Sequence, residues 1–132
     1  MLELHGWVTI RETYKVDAED HEDIVIGKIK NEIDRLSWFK PQIKALNGVW
    51  FMEFTIYANR PNGQTQEVFQ LYEKIGELAE GSYGLIYLHD DEDKGKWNEF
   101  QVYALSRGMV KEFRDTFLSP IIPTIEDKDD LC

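Results

Sequence analysis

Cysteine is nearly missing from this 132-residue sequence. Its one copy, Cys132, is the last residue, so no internal disulfide can form, which suits a reducing compartment. Long apolar runs are missing as well, and none approaches the roughly 20 residues that cross a bilayer. The start, Met1-Leu2-Glu3-Leu4, lacks the basic residues and apolar stretch of a secretion signal, so the expected location is the cytoplasm. Positive charge is scarce: 15 Lys and Arg stand against 25 Asp and Glu, a net charge of −10. Such a field repels phosphate backbones and anionic membranes and draws in basic partners. Neither a nucleic acid nor a membrane is therefore expected as a partner.

Catalytic signatures are lacking too. The sequence has no phosphate loop, no Gly-x-Ser-x-Gly, no Cys-x-x-Cys and no His-Glu-x-x-His. Asp90-Asp91-Glu92-Asp93 looks briefly like a calcium loop. Lys94, however, stands where an oxygen ligand is needed, and Gln101 replaces the closing Glu. A terminal cysteine is a poor nucleophile candidate. Asn47 to Phe54 partly follows the RNA-binding signature of the RRM, but Asn47 replaces its basic residue and Trp50 a small one. These absences lead us to assign no catalytic residue, no metal and no cofactor.

What remains is enough for one domain spanning residues 1–132, with 42% hydrophobic residues, 30% charged and 13% aromatic. Leu2, Leu4, Val8 and Ile10 alternate with polar residues, the period of a strand with one buried face. Acid at Asp17 to Asp20 suits a helix start, and Ile26, Ile29, Ile33 and Leu36 follow on one helical face up to Pro41. Ile43 to Leu46 and Val49 to Ala58 read as strands around Asn47-Gly48, a pair that tolerates positive φ in tight hairpins. After the turn Arg60-Pro61-Asn62-Gly63, Val68, Leu71, Ile75 and Leu78 mark a second helix ended near Gly81. Gly76 inside it weakens the helix or marks close packing.

Ser82 to His89 and Trp97 to Leu105 read as strands joined by an acidic loop. Arg107-Gly108 is a turn, and Met109 to Phe117 fits strand or helix. An extended acidic tail follows from about residue 118 to Asp129, Asp130 and Cys132. The order predicts an α+β fold with a ferredoxin-like βαββαβ core, two helices on one face of an antiparallel sheet, and a C-terminal β hairpin or strand unit.

Parity then sorts the sheet. Trp50, Met52, Phe54, Ile56, Ile86, Leu88, Phe100 and Val102 should meet the helices. The opposite face gathers His5, Trp7, Phe51, Glu53, Tyr57, Tyr83, Leu85, Tyr87, His89, Trp97, Glu99 and Tyr103. Rings interleaved with carboxylates suit a protein interface. The bland alternative is that the chain from Met109 onward folds over this face as a second core. His5 and His89 should be neighbours there, with Asp90 nearby, as polar cross-strand residues rather than an acid–base pair. His21 is expected at the surface.

Several segments carry a further likeness. They are Leu4-His5-Gly6-Trp7-Val8-Thr9-Ile10, then Gly81-Ser82-Tyr83-Gly84-Leu85-Ile86-Tyr87 with its acidic hairpin, then Asn98-Glu99-Phe100-Gln101-Val102. The end adds Arg107-Gly108 and Leu118-Ser119-Pro120 through Ile125-Glu126-Asp127. In this order, across nearly the whole chain, they resemble the Imm7 family of bacterial immunity proteins. The resemblance implies a protein encoded beside a polymorphic toxin, which protects the cell by binding the toxin's C-terminal domain, with nucleases frequent among such domains. It implies no contact residues.

Physical reasoning alone selects the expected partner-binding residues: Trp7, Glu53, His89, Asp90, Asp91, Asp93, Trp97, Glu99 and Tyr103. Their expected partner is a basic cognate toxin domain, and a homodimer is left open. A rival surface is the acid cluster Glu19, Asp20, Glu22 and Asp23 on the first helix. The alternative function is a small-ligand or regulatory domain that uses the aromatic face as its pocket.

Overall fold

The structure, a computed structural model, describes residues 1–15, 21–37, 39–59 and 64–128. Its elements run β1 (Leu2–Ile10), α1 (Glu22–Asp34), β2 (Gln42–Leu46), β3 (Val49–Ala58), α2 (Gln64–Leu78), β4 (Tyr83–Asp90), β5 (Gln101–Ser106), β6 (Met109–Arg114) and one turn, α3 (Ile121–Thr124). The strands form one antiparallel sheet in the order β2-β3-β1-β4-β5-β6, longer than a four-stranded ferredoxin-like sheet. The expected acidic helix start at Asp17 to Asp20, the turn at Arg60 to Gly63, and the tail residues Asp129, Asp130 and Cys132 lie outside the described residues.

β1 lies in the middle of the sheet, paired with β3 and β4, and its alternation buries one face. Leu2, Leu4, Val8 and Ile10 are buried against the helices, while Glu3, His5, Trp7 and Thr9 face the other way. α1 contributes Val25, Ile26, Ile29 and Ile33, and α2 contributes Val68, Leu71, Tyr72 and Ile75. Met52, Phe54, Ile56, Ile86, Leu88 and Leu105 complete this core from the sheet. No side-chain oxygen caps α1 at His21, but Glu22 and Asp23 sit in its first turn, where carboxylates suit the helix dipole.

Two glycines at β1 and β4 explain how tightly the layers meet. A Cβ on Gly6 would lie 2.3 Å from the Phe54 ring and 2.5 Å from the Tyr72 hydroxyl. A Cβ on Gly84 would lie 2.0 Å from the Trp7 carbonyl. Tyr72 fills the space over Gly6, and its hydroxyl lies 3.0 Å from the Leu85 carbonyl and 3.3 Å from that of Trp7, donating between them. Gly76 of α2 does mark close packing: a Cβ there would meet Gly108 at 3.0 Å. Both two-residue hairpins, Asn47-Gly48 and Arg107-Gly108, have positive φ throughout, as their twist demands.

The structure corrects four expectations. Trp97 to Phe100 is not strand; it belongs to a run of turns, and β5 begins at Gln101. The parity of β5 is also reversed. Ile86 pairs with Tyr103 and Tyr87 with Val102, so Tyr103 and Leu105 face the helices, while Phe100 and Val102 lie on the opposite side. Both faces of β5 are apolar, so alternation could not choose between them. Packing does: Tyr103 meets Phe69 of α2 edge-on, ring centroids 4.6 Å apart, a contact of about 0.5–1.5 kcal/mol beyond area burial. Residues 115–125, expected to lead into or form an extended tail, are folded against the sheet and include α3. Trp50, expected in the core, is half-buried at its rim with the Lys30 ammonium 4.7 Å over its ring.

Candidate groove on the helix-free face

The face away from the helices carries a groove of about 870 Å³. Its floor is built by alternation from three strands: Glu3, His5 and Trp7 of β1, Glu53 and Thr55 of β3, and Leu85 and Tyr87 of β4. Phe100 and Leu118 wall one end. Phe39, Lys40 and Gln42, from the connection into β2, wall the other. Lys40 turns its ammonium elsewhere, donating to the Ile33 and Asp34 carbonyls at 3.3 and 2.8 Å, where a cation satisfies the exposed end of α1.

The carboxylates of the groove are held in place. Glu3 Oε2 lies 2.5 Å from His5 Nε2 and accepts from the Tyr57 hydroxyl at 3.3 Å. Tyr57's pKa is raised, first by desolvation and then by the Glu3 charge. Glu53 is exposed and stands 3.5 Å from the Lys44 ammonium, which also lies 5.6 Å from the centre of the Phe51 ring. Around them the rings remain open to solvent: Trp7 is 44% exposed and meets Tyr83 edge-on, and Tyr57 is 60% exposed.

One segment does cover part of this face. Residues 115–122 fold back from β6 onto Tyr87 and Phe100. Asp115 is buried and accepts from the Tyr87 hydroxyl, from the Phe117 and Leu118 amides at 2.9 and 3.1 Å, and from the Ser119 hydroxyl at 2.7 Å. Ser119 accepts in turn from the Phe100 amide at 2.9 Å. Asn98 then stitches the tail, its carbonyl oxygen accepting from the Ile121 amide and its side chain pairing with the Ile122 backbone at 2.8 and 3.3 Å. Phe100 and Ile121 are buried by this cover. Burial opposes the Asp115 charge, but its hydrogen bonds prevail and hold the carboxyl below its ordinary value of 3.8. Tyr87 is pushed up to about 12, by desolvation first and then by Asp115.

The expected site residues divide accordingly. Trp7 and Glu53 line the groove. His89 faces the same side, with its Nε2 2.7 Å from the Trp97 carbonyl oxygen and its ring 5.3 Å from Phe100. It lies opposite Glu3, and His5 lies opposite Tyr87, so the two histidines are diagonal neighbours. Asp90 and Asp93 organise the hairpin loop, their Oδ1 atoms accepting from the Glu92 and Gly95 amides at 3.0 Å. Asp91 pairs with the Met1 amino group, which lowers its pKa. Trp97 is 48% exposed beside the groove's covered end. Glu99 stands 3.8 Å from Arg114. Tyr103 is on the helix side and outside this face.

His21 is at the surface, its Nδ1 3.1 Å from Glu12. Of the rival cluster, Glu22 and Asp23 open α1, while Glu19 and Asp20 lie outside the described residues. Sequence reasoning missed Glu3, Leu118 and the Asp115 clasp. An Asp two and three residues ahead of the amides it binds is an Asx-type signal at a strand end, and it could have been read. Among the described residues there is no cluster of His, Cys, Asp and Glu that could hold a metal ion, and no helix long and apolar enough to cross a membrane.

The Immunity protein 7 (Imm7) family model matches residues 1–127 of the chain. No match was found among curated proteins or among solved structures.

Proposed function

From the chain's membership of the Immunity protein 7 family, which makes it an immunity protein with a toxin as its partner, we propose that it neutralises a polymorphic toxin by covering the toxin's C-terminal domain with the groove face. It acts as one domain, by binding and without chemistry of its own. The observation that carries this reading is the groove itself: carboxylates of Glu3 and Glu53 set among half-exposed rings, on a chain of net charge −10. A basic toxin domain, such as a nuclease that must attract a polyanion, is complementary to it. Exposed charge would speed encounter, and desolvated rings would slow release. The acidic hairpin, Asp90, Asp91 and Asp93, extends the charge past the groove's end, with Trp97 and Glu99 beside it.

We read β2-β3-β1-β4 with α1 and α2 as a ferredoxin-like core to which the β5–β6 hairpin is added; the adjacency of these four strands in one sheet supports that reading. A second reading rests on groove size. A volume of about 870 Å³ is within the range of small-ligand sites.

Binding of the C-terminal domain of the toxin encoded beside this protein separates the two. We expect a one-to-one complex whose association slows with salt, and rescue of cells that express the toxin. A protein that neither binds that domain nor rescues those cells refutes the immunity reading.

A further inference from the structure

Phe117 is the most exposed large apolar side chain among the described residues, at 82%. An exposed ring on a loose loop would mean little, but this loop is not loose. Its neighbour two residues back, Asp115, is buried, and its carboxylate takes donors from Tyr87, Phe117, Leu118 and Ser119. The Phe100 amide and Asn98 fix the segment further from the other side. Burying a carboxylate is costly, and here it is offset by hydrogen bonds rather than by an ion pair. The clasp aligns the backbone on both sides of a ring that it leaves in solvent. Leu118, next to that ring, is 44% exposed and forms part of the groove wall.

We infer that the 115–119 loop is a prebuilt anchor: Asp115 holds its shape, and Phe117 enters an apolar pocket on the toxin domain beside the basic surface that meets Glu3 and Glu53. This rests on the proposed function and names a part of the interface that charge alone does not reveal. A ring whose backbone is already ordered loses little entropy on binding, the condition under which aromatic anchors dominate an interface. The two cations near the loop do not oppose a basic partner unbalanced, because Arg114 faces Glu99 at 3.8 Å and Lys96 pairs with Glu112 at 3.0 Å.

The test is a double-mutant cycle on binding of the toxin's C-terminal domain. Phe117→Ala should leave the folded signal and melting temperature unchanged and speed dissociation at least ~30-fold, with association within ~3-fold of wild type. In an Asp115→Ala background the same truncation should cost under ~5-fold, because the ring is no longer presented. If Asp115→Ala fails to fold, Asp115→Asn takes its place in the cycle. Wild-type dissociation from Phe117→Ala, together with weakened binding by Trp7→Ala and Glu53→Lys, overturns the anchor and leaves the groove reading standing. Equal losses from Phe117→Ala in both backgrounds overturn the role of the clasp. No binding by the wild-type protein overturns both readings.

Discussion

Gly6 is a narrow point in the fold, and filling it should be costly. An added Cβ would sit 2.3 and 2.4 Å from two carbons of the Phe54 ring and 2.5 Å from the Tyr72 hydroxyl. Phe54 is 9% exposed and Tyr72 fully buried, so moving either ring disturbs the packed core. Overpacking of this kind costs about 1–3 kcal/mol. Moving the Tyr72 hydroxyl off the Trp7 and Leu85 carbonyls adds about 1–3 kcal/mol for a buried polar group left unpaired, so a total of about 2–4 kcal/mol is expected when part of the strain relaxes. The control is Gly27→Ala. Gly27 is exposed on α1, nothing lies within 4 Å of its would-be Cβ, and alanine there should stabilise by about 0.5–1 kcal/mol. Urea unfolding of both variants, with unchanged m-values, measures the two effects. Phe54→Leu should also be less damaging in the Gly6→Ala background than in the wild type, since it opens the same space. If Gly6→Ala unfolds within about 0.5 kcal/mol of wild type, the ring packing under β1 is not as described.

Other expectations follow from the same contacts. Leu71→Ala, which empties a core position 3% exposed, should cost about 2–5 kcal/mol in the same assay. The Asp115–Tyr87 contact should shape the pH profile at both ends. Asp115's folded pKa lies below 3.8, so its contribution is present above that value and lost as pH falls through the folded pKa. Tyr87's rises from 10.0 to about 12, so its contribution is present below pH 10 and lost as pH climbs towards 12. Stability measured against pH should therefore fall less steeply in the alkaline window for Tyr87→Phe than for wild type, and identical slopes would contradict the assignment. Reversing Asp90 and Asp91 to Lys should mainly slow toxin association and flatten its salt dependence, whereas Trp97→Ala should mainly speed release. Stopped-flow and surface-plasmon kinetics distinguish the two, and a shared effect on one rate constant would refute the division of labour.

Legibility in the sequence followed the strength of alternation. β1 reads cleanly because Leu2, Leu4, Val8 and Ile10 alternate with polar residues, and its observed burial follows that pattern. Asn47-Gly48 identified a hairpin by backbone chemistry alone, whereas Arg107-Gly108 identified only a turn, because Met109 to Phe117 fits strand or helix until its register to β5 is seen. β5 failed because Phe100 and Val102 on one side are as apolar as Tyr103 and Leu105 on the other, so only the register to β4 and the Phe69 ring decide its face. The groove floor was legible in Trp7 and Glu53. Its closing wall was not, because residues 115–119 have no periodicity; one buried carboxylate gathers them through donors on Tyr87 and on their own backbone. Tyr72 went unpredicted for a related reason, since its place depends on the missing side chain of Gly6 on another strand.

Whether the helix-free groove or the helical side meets the toxin is decided by comparing three dissociation rates. Dissociation of the toxin's C-terminal domain should be measured from wild type, from a groove variant carrying Trp7→Ala and Glu53→Lys, and from an α1 variant carrying Glu22→Lys and Asp23→Lys. At least ~30-fold faster dissociation and loss of cell protection are expected for the groove variant, with the α1 variant within ~3-fold of wild type. A groove variant that binds and protects like wild type, beside an α1 variant that does neither, would place the interface on the helical side and rule the groove out.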